Sequence, residues 1–247
     1  MGYLILILVP LLGGLAQIYL PSFSLKHVRL LLIASGGFLF ATATTHLLPE
    51  LFVHSQTKFT GFFVALGFLL QLFLEQFSQG VEHGHLHTNQ PNGHCHHHDH
   101  STTSQAKVYL GLLSALLLHS FLEGIPLGSS AQGMFSNPLF VGVVAHQAPT
   151  AFALMMLLGE GKMSFQNRLL SLIVFVIATP LGMYLGTVLP SAFQNGSFAL
   201  HLILALVTGS FLHISTTIIH EADSENHRFN IVKLATACFG AALALAF

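Results

Sequence analysis

The amino-acid sequence predicts an all-α integral membrane protein: eight transmembrane helices in a bundle, with both termini external. Of its 247 residues, 53% are hydrophobic and only 7% are charged, whereas about 25% of a soluble domain is usually charged. Apolar runs of about 20 residues recur along the chain, and that length crosses a hydrocarbon core of roughly 30 Å. Because backbone groups in lipid must be bonded within their own segment, these runs predict helices.

Turn-forming residues separate the apolar runs. The predicted spans are 3–20, 28–52, 60–79, 106–130, 138–159, 168–190, 198–221 and 229–247. Residues 1–79 therefore hold helices one to three, residues 80–105 a polar loop, and residues 106–247 helices four to eight. An even number of spans places both termini on the same side of the membrane.

The basic residues predict which side that is. Lys and Arg favour cytoplasmic loops, and seven of the eight lie at odd-numbered loops: Lys26, Arg29, Lys107, Lys162, Arg168, Arg228 and Lys233. Only Lys58 lies at an even-numbered loop. The odd loops are therefore predicted to be cytoplasmic. The net charge of -1 gives no electrostatic basis for a nucleic-acid partner.

Ionisable residues inside the predicted spans are costly to place in lipid, and their default interpretation is functional. In the fourth span His119 and Glu123 are spaced i, i+4 and share one helix face. In the fifth span His146 lies three residues before Pro149. Imidazole and carboxylate together suit Zn²⁺ and similar ions. We therefore predict that these three residues form a transit site for a transition-metal ion.

Prolines support this interpretation. Pro126 and Pro149 displace the carbonyls of Leu122 and Ala145, and such carbonyls must face protein or a wet cavity, as in the broken-helix ion sites of transporters. A single histidine could simply bond a neighbouring helix. That alternative is weak for Glu123, because an unpaired carboxylate at this depth costs several kcal/mol.

A polar stripe in the second span is predicted to form an entrance. Thr42, His46 and Glu50 are spaced i, i+4, i+8 towards the external end, with Pro49 among them. A polar helix end near the lipid headgroups explains Glu50 almost as well, so both interpretations stay open.

The seventh span carries candidate exit ligands near its cytoplasmic end. These are His213, His220 and Glu221. A solvated helix end is an equally good explanation of the His220–Glu221 pair. For His201 and Glu75 the first expectation is packing or hydrogen bonding.

The loop at 80–105 is rich in metal-binding side chains. Its candidate ligands are His83, His85, His87, His94, Cys95, His96, His97, His98, Asp99 and His100. This composition is typical of metal binding, and the low hydrophobicity predicts disorder. We expect a cytoplasmic metal acceptor or sensor that binds weakly and exchangeably.

Over its whole length the sequence resembles the ZIP (Zrt-, Irt-like protein) family of divalent metal transporters. The matching stretches are 46–49 (HLLP), 119–124 (HSFLEG), 145–149 (AHQAP), 178–182 (ATPLG) and 220–221 (HE). The eight spans, the external termini and the histidine-rich loop also match, and the fourth-span motif is the most specific part. The resemblance implies metal import into the cytoplasm, with the central site on spans four and five.

The resemblance also bears on how many ions the centre holds. ZIP proteins often have a two-metal centre, and the second ion is commonly held by Asn, Asp and Glu. Those positions are here Ser120, Gln147, Thr150 and Thr179. None is a carboxylate, so we expect one ion on the three central ligands, with Ser120 and Gln147 as weak helpers or water binders. The fourth span is similar to the ZIP branch that reads His-Ser-x-x-Glu-Gly.

Zn²⁺ is the expected cargo because of the histidine ligands, although the sequence does not separate it from Fe²⁺, Mn²⁺ or Cd²⁺. No cofactor is expected. The expected partners are the lipid bilayer and divalent metal ions, and a homodimer is left open. The length and the lack of a signal peptide or ectodomain favour a bacterial inner (plasma) membrane.

Two alternatives to import are considered. A metal-dependent intramembrane hydrolase would use zinc to activate water, but the usual His-Glu-x-x-His signature is absent, since His220 and Glu221 are followed by Ala, Asp and Ser. An exporter of the cation-diffusion type also has histidine-rich loops, but usually carries an Asp-rich site and a soluble C-terminal domain. We therefore predict a transporter and not an enzyme.

Overall fold

A computed structural model describes residues 1–19, 25–54, 58–78, 102–129, 137–161, 163–192, 196–221 and 227–246. Nearly all of these residues are helical, and no strand occurs among them. The elements are α1 (Gly2–Tyr19), α2 (Leu25–Thr42), a π-helical turn (Ala43–Leu47), α3 (Leu48–His54), α4 (Lys58–Ser78), α5 (Thr102–Ser129), α6 (Pro138–Glu160), α7 (Phe165–Ala192), α8 (Gly196–Glu221) and α9 (His227–Ala244). The predicted all-α membrane fold is confirmed.

Seven helical stretches in the described part of the chain are long and apolar enough to cross a membrane. One of them, His27–Val53, comprises most of α2, the π turn and most of α3, so the seven match the first seven predicted spans. The eighth predicted span corresponds to α9, whose apolar part, Ile231–Ala244, is shorter. The helix ends differ from the predicted ones by a few residues; α5, for example, begins at Thr102 and not at residue 106.

The second span changes its helix type in the middle. Ala43–Leu47 form a π turn, in which backbone hydrogen bonds reach the fifth residue and not the fourth. Pro49 follows, and it lacks the N–H that an α-helix would direct to the carbonyl of Thr45. The Thr45 hydroxyl donates to the carbonyl of Ala41 (2.7 Å). Such turns are frequent at functional sites, and the α-helical spacing assumed for this span did not anticipate one.

Glycines allow several helices to pack so closely that their backbones are in contact. A Cβ at Gly124 of α5 would lie 2.2 Å from the carbonyl oxygen of Thr179 on α7, and a Cβ at Gly182 of α7 would lie 2.0 Å from that of Phe121 on α5. Small residues at such interfaces are the usual means of packing helices in membranes. The close approach fixes the position of α5, and with it His119, against α7.

The helices form four close pairs, namely α1 with α6, α5 with α7, α4 with α8, and α2 with α9. Contacts of α2 with α8 and α6, of α4 with α5 and of α1 with α7 join these pairs into one bundle. An apolar core that includes Leu116, Leu154 and Phe175 lies between α5, α6 and α7. On its other side, α5 faces α4 and α8.

Arg168, at the start of α7, ties three helix ends together. Its Nη2 donates to the side-chain oxygen of Gln17 on α1 (2.6 Å) and to the carbonyl of Met155 on α6 (2.9 Å). The last turns of α1 and α6 therefore lie on the same side of the bundle as the first turn of α7. This agrees with a chain that alternates direction from span to span.

Candidate metal centre

The three predicted central ligands converge at the middle of the bundle. His119 and Glu123 lie one turn apart near the midpoint of the apolar segment Tyr109–Gly128 of α5, and His146 lies on α6. Their ligand atoms all lie within 4.8 Å of one another, and the residues are 3%, 1% and 1% exposed, respectively. Among the residues that the structure describes, no other group of three His, Cys, Asp or Glu is placed to hold a metal ion.

Within this group, the Glu123 carboxylate keeps an oxygen that can bind a cation. His119 Nε2 lies 2.8 Å from Glu123 Oε1, and the rings of His119 and His146 are perpendicular, with centroids 6.1 Å apart. Glu123 Oε2 is buried and has no hydrogen-bond partner in the described part of the chain. Burying a carboxylate with an unsatisfied oxygen is costly, and a bound cation would relieve that cost.

Both α5 and α6 continue as helices through their prolines, Pro126 and Pro149.

Thr150 orients the backbone and ring of His146. One turn after His146, the Thr150 hydroxyl donates to the His146 carbonyl (2.9 Å), and its oxygen lies 3.4 Å from His146 Nε2. Because the only hydroxyl hydrogen is used on the carbonyl, the Thr150 oxygen faces the ring as an acceptor.

The positions that could have supplied a second carboxylate are buried and uncharged. They are Ser120, Gln147, Thr150 and Thr179, with exposures of 1%, 3%, 2% and 0%. The Gln147 amide nitrogen donates to the Thr179 hydroxyl on α7, which links α6 to α7 beside the centre. The suggested role of Ser120 and Gln147 as weak ligands stays a prediction.

Two polar residues that the sequence interpretation missed adjoin His119. The Ser210 hydroxyl on α8 donates to Gln71 Oε1 on α4 (3.0 Å) and lies 3.4 Å from His119 Nδ1. A hydroxyl has one hydrogen, so with that hydrogen on Gln71 the Ser210 oxygen can only accept from His119 Nδ1–H. The remaining nitrogen, Nε2, would then bind a cation together with Glu123. The sequence does carry a signal for both residues, because each is a polar residue at the centre of an apolar span.

A small cavity lies beside this network, between α4, α5 and α8. Its lining includes the side chains of His119 and Glu123 together with Gln71 and Ser210, and the remaining lining is leucine and valine. The centre therefore borders a cavity on the side of α4 and α8.

A second buried His–Glu contact lies on α4 and α8. His213 Nε2 lies 2.6 Å from Glu75 Oε2, which agrees with the hydrogen-bonding role first expected for Glu75. His201 likewise meets a partner, since its Nε2 lies 3.1 Å from the Thr60 hydroxyl. The predicted exit residue His213 is therefore buried and paired with a carboxylate from another helix.

The predicted entrance residues differ strongly in exposure. Thr42 is buried, His46 is half-buried and Glu50 is exposed. The π turn contains His46, and its wider winding alters the common face that an i, i+4, i+8 spacing gives in an α-helix. Thr42 Oγ1 and His46 Nε2 are buried without a hydrogen-bond partner among the described residues. The entrance role stays a prediction.

Part of the predicted site falls outside the described structure. The backbone of His220 and Glu221 ends α8, but their side chains are not described. The histidine-rich ligands between residues 83 and 100 also lie outside the described residues. Their roles stay predictions.

The fold and the central group define an integral membrane protein with a buried, intramembrane group of two histidines and one glutamate that is placed to hold a metal ion. The family profile described as "ZIP Zinc transporter" matches residues 1–110 and 81–247, which together cover the chain. The chain belongs to the ZIP zinc transporter family.

Individual relatives match over shorter stretches. Zinc transporter ZIP1 of Danio rerio is 26% identical over 212 residues, which cover 75% of this chain and 70% of that protein. Zinc transporter ZIP3 of Bos taurus is 31% identical over 140 residues, covering 55% and 44%. Protein zntC of Dictyostelium discoideum is 32% identical over 106 residues, covering 42% and 26%. The chain thus spans less than half the length of the last two.

Proposed function

We propose that this protein is a membrane transporter that moves divalent transition-metal cations, Zn²⁺ foremost, into the cytoplasm through a single central site. The observation that carries the proposal is the convergence of His119, Glu123 and His146 within 4.8 Å at mid-span. Membership of the zinc transporter family supports it. The cation is the cargo and not a resident cofactor.

The central group is close to the size that zinc needs. Tetrahedral Zn²⁺ has bonds of about 2.0–2.2 Å to N and O, which places its ligand atoms about 3.3 Å apart. His119 Nε2 and Glu123 Oε1, now 2.8 Å apart, would separate by about half an ångström. The other ligand atoms, at up to 4.8 Å, would close by about 1.5 Å at most. Small side-chain rotations supply such shifts.

The charge of the centre supports one ion held with moderate affinity. Glu123 is its one carboxylate, because the neighbouring polar positions Ser120 and Gln147 are uncharged. With neutral histidines, a bound dication keeps one excess positive charge. A second dication would add strong repulsion in a medium of low dielectric constant. The same excess charge makes release of the first ion feasible.

The proposed direction rests on the distribution of Lys and Arg, which puts the loop between α4 and α5 in the cytoplasm. A hydrated cation would be attracted by Glu50 and would lose water at His46 and Thr42. It would then bind at the centre and leave past the predicted exit residues of α8. The histidine-rich loop would accept it as a cytoplasmic metal-binding segment.

Three finer points accompany the proposal. Histidine ligands favour zinc, while Fe²⁺, Mn²⁺ and Cd²⁺ are alternative cargoes to be tested by competition. A bacterial inner membrane is the proposed location. A homodimer stays open, and the mass of the purified protein in detergent would distinguish it from a monomer.

Transport is favoured over the alternative of an intramembrane hydrolase. The family to which the chain belongs is one of transporters. Hydrolysis needs a metal-bound water and a separate general base, whereas Glu123 is itself one of the three central ligands.

Zinc uptake into proteoliposomes tests the proposal. The variants Glu123→Gln and His119→Ala are expected to reduce ⁶⁵Zn²⁺ uptake to the level of empty liposomes, because each removes a central ligand. His201→Gln is the matched control, since this half-buried histidine of α8 contacts the Thr60 hydroxyl and is not one of the three central residues. Unchanged uptake by folded Glu123→Gln would refute the central site.

A further inference from the structure

The contact between Glu75 and His213 joins two helices outside the central site. Their side chains are 14% and 6% exposed, respectively, and Oε2 lies 2.6 Å from Nε2. His213 follows Ser210 by about one helical turn, or roughly 5 Å, along α8. On α4, Glu75 follows Gln71 by four residues, which is also about one turn. The pair therefore lies one turn beyond the Ser210–Gln71 bond, towards the ends of α4 and α8.

The Thr217 hydroxyl places a second oxygen near His213 Nε2. The Thr217 hydroxyl donates to the carbonyl of His213 (3.0 Å), and its oxygen lies 3.5 Å from His213 Nε2. With its hydrogen on the carbonyl, that oxygen offers lone pairs towards Nε2. The edge-to-face contact of Phe68 with the His213 ring, at 4.8 Å between centroids, holds the imidazole in this orientation. Glu75 Oε2 and the Thr217 oxygen thus both lie within 3.5 Å of His213 Nε2.

Polar side chains connect this point to the centre. Ser210 lies 3.4 Å from His119 Nδ1 and bonds Gln71 across α4 and α8. The cavity that borders His119 and Glu123 is lined by Gln71 and Ser210, and also by Leu74, the residue before Glu75. A cation leaving the centre on this side would meet Glu75 and His213 next.

We propose that Glu75, His213 and Thr217 form a second, exit-side binding site for the transported divalent cation. This inference rests on the proposed transport function. It assigns a ligand role to Glu75 on α4, so the exit path runs between α4 and α8 and is not formed by α8 alone. Imidazole and carboxylate are ligands that Zn²⁺ commonly takes. The Thr217 hydroxyl oxygen would be a third donor, and one coordination position is left for water.

Charge and geometry make transfer between the two sites feasible. Each site has one carboxylate, so neither holds a dication with a large electrostatic advantage. Around tetrahedral zinc, Glu75 Oε2 and His213 Nε2 would move from 2.6 Å to about 3.3 Å apart. Glu75 is close to the last turn of α4 and is partly exposed, which permits that shift.

Zinc anomalous scattering from crystals of the zinc-loaded, full-length protein tests the inference. We expect one peak at the central ligands and a second within about 2.2 Å of both Glu75 Oε2 and His213 Nε2. Glu75→Gln should remove the second peak and leave the first. His201→Gln should leave both, because it alters a histidine of the same helix pair that contacts a hydroxyl and not a carboxylate.

The outcomes separate the two proposals. A central peak without density at Glu75 would overturn the second site and leave the proposed function intact. A peak at Glu75 without a central one would support the second site and refute the central one. If Glu75→Gln does not fold, the unmutated crystals decide alone, because the position of the second peak identifies its ligands. No peak at either position would overturn both.

Discussion

The variant Ser210→Ala probes how the protein sets the chemistry of His119. Ser210 accepts from His119 Nδ1–H at 3.4 Å while donating to Gln71 Oε1 at 3.0 Å. The hydroxyl therefore keeps the hydrogen on Nδ1 and the lone pair on Nε2, the nitrogen that would bind a cation together with Glu123. Without it, either nitrogen can carry the hydrogen, and the ring loses the bond that fixes its orientation. The metal ligands themselves are untouched.

The expected effect is about a tenfold loss of zinc affinity. A hydrogen bond to a neutral group contributes about 0.5–1.5 kcal/mol, which corresponds to roughly a 2- to 13-fold change. Removal of a group that orients a metal-binding histidine typically costs about 10- to 100-fold in affinity. The 3.4 Å separation is long for a hydrogen bond, so we expect the low end of the 10- to 100-fold range, about tenfold, which still lies within the first range.

Zinc uptake as a function of free Zn²⁺ in proteoliposomes measures this effect. Ser210→Ala should raise the half-saturating concentration about tenfold. Ser215→Ala is the matched control on α8, because its buried hydroxyl donates to the carbonyl of Leu212 in its own helix (3.1 Å). Equal half-saturating concentrations for the two folded variants would refute the role of Ser210.

Three further predictions concern packing, protons and charge. Gly182→Ala should destabilise the protein by about 1–3 kcal/mol through overpacking, because the added Cβ would lie 2.0 Å from the Phe121 carbonyl oxygen. The control Gly61→Ala should leave the melting temperature unchanged, because its added Cβ meets nothing within 4 Å. Uptake at fixed free Zn²⁺ should fall as the pH is lowered, because histidine must be deprotonated to bind metal; a rate that rises in acid would contradict this. Gln147→Glu adds a carboxylate beside the centre and should tighten zinc binding in equilibrium titrations while slowing release; unchanged affinity would show that residue 147 does not reach the ion.

The fold and the convergence of the three central residues could be predicted because the bilayer constrains both. Lipid requires that each segment satisfies its own backbone hydrogen bonds, so an apolar run long enough to cross the bilayer is predicted to be a helix. It also makes an ionisable group conspicuous, and the i, i+4 spacing of His119 and Glu123 then needs only regular helix geometry to give a shared face. The convergence with His146 was predicted from its place beside Pro149 in the middle of the next span, and the resemblance to the ZIP family supported it.

Other features depend on contacts that spacing within one helix cannot reveal. Gln71 and Glu75 lie on α4, and their partners Ser210 and His213 lie 139 and 138 residues away, respectively, in the sequence. Only the packing of α4 on α8 brings these groups together. The π turn at Ala43–Leu47 is a local change in winding, and α-helical periodicity alone did not predict it.

Zinc counts for four variants of the full-length protein test the single central site most directly. The variants are His119→Gln, Glu123→Gln, His146→Gln and the combination of all three. Because the histidine-rich loop is the same in every variant, differences from the unmutated protein report the centre alone. We predict that each single variant and the triple variant lose the same one zinc ion per chain. Losses that add up in the triple variant, or no loss in any of the four, would contradict one ion shared by three ligands.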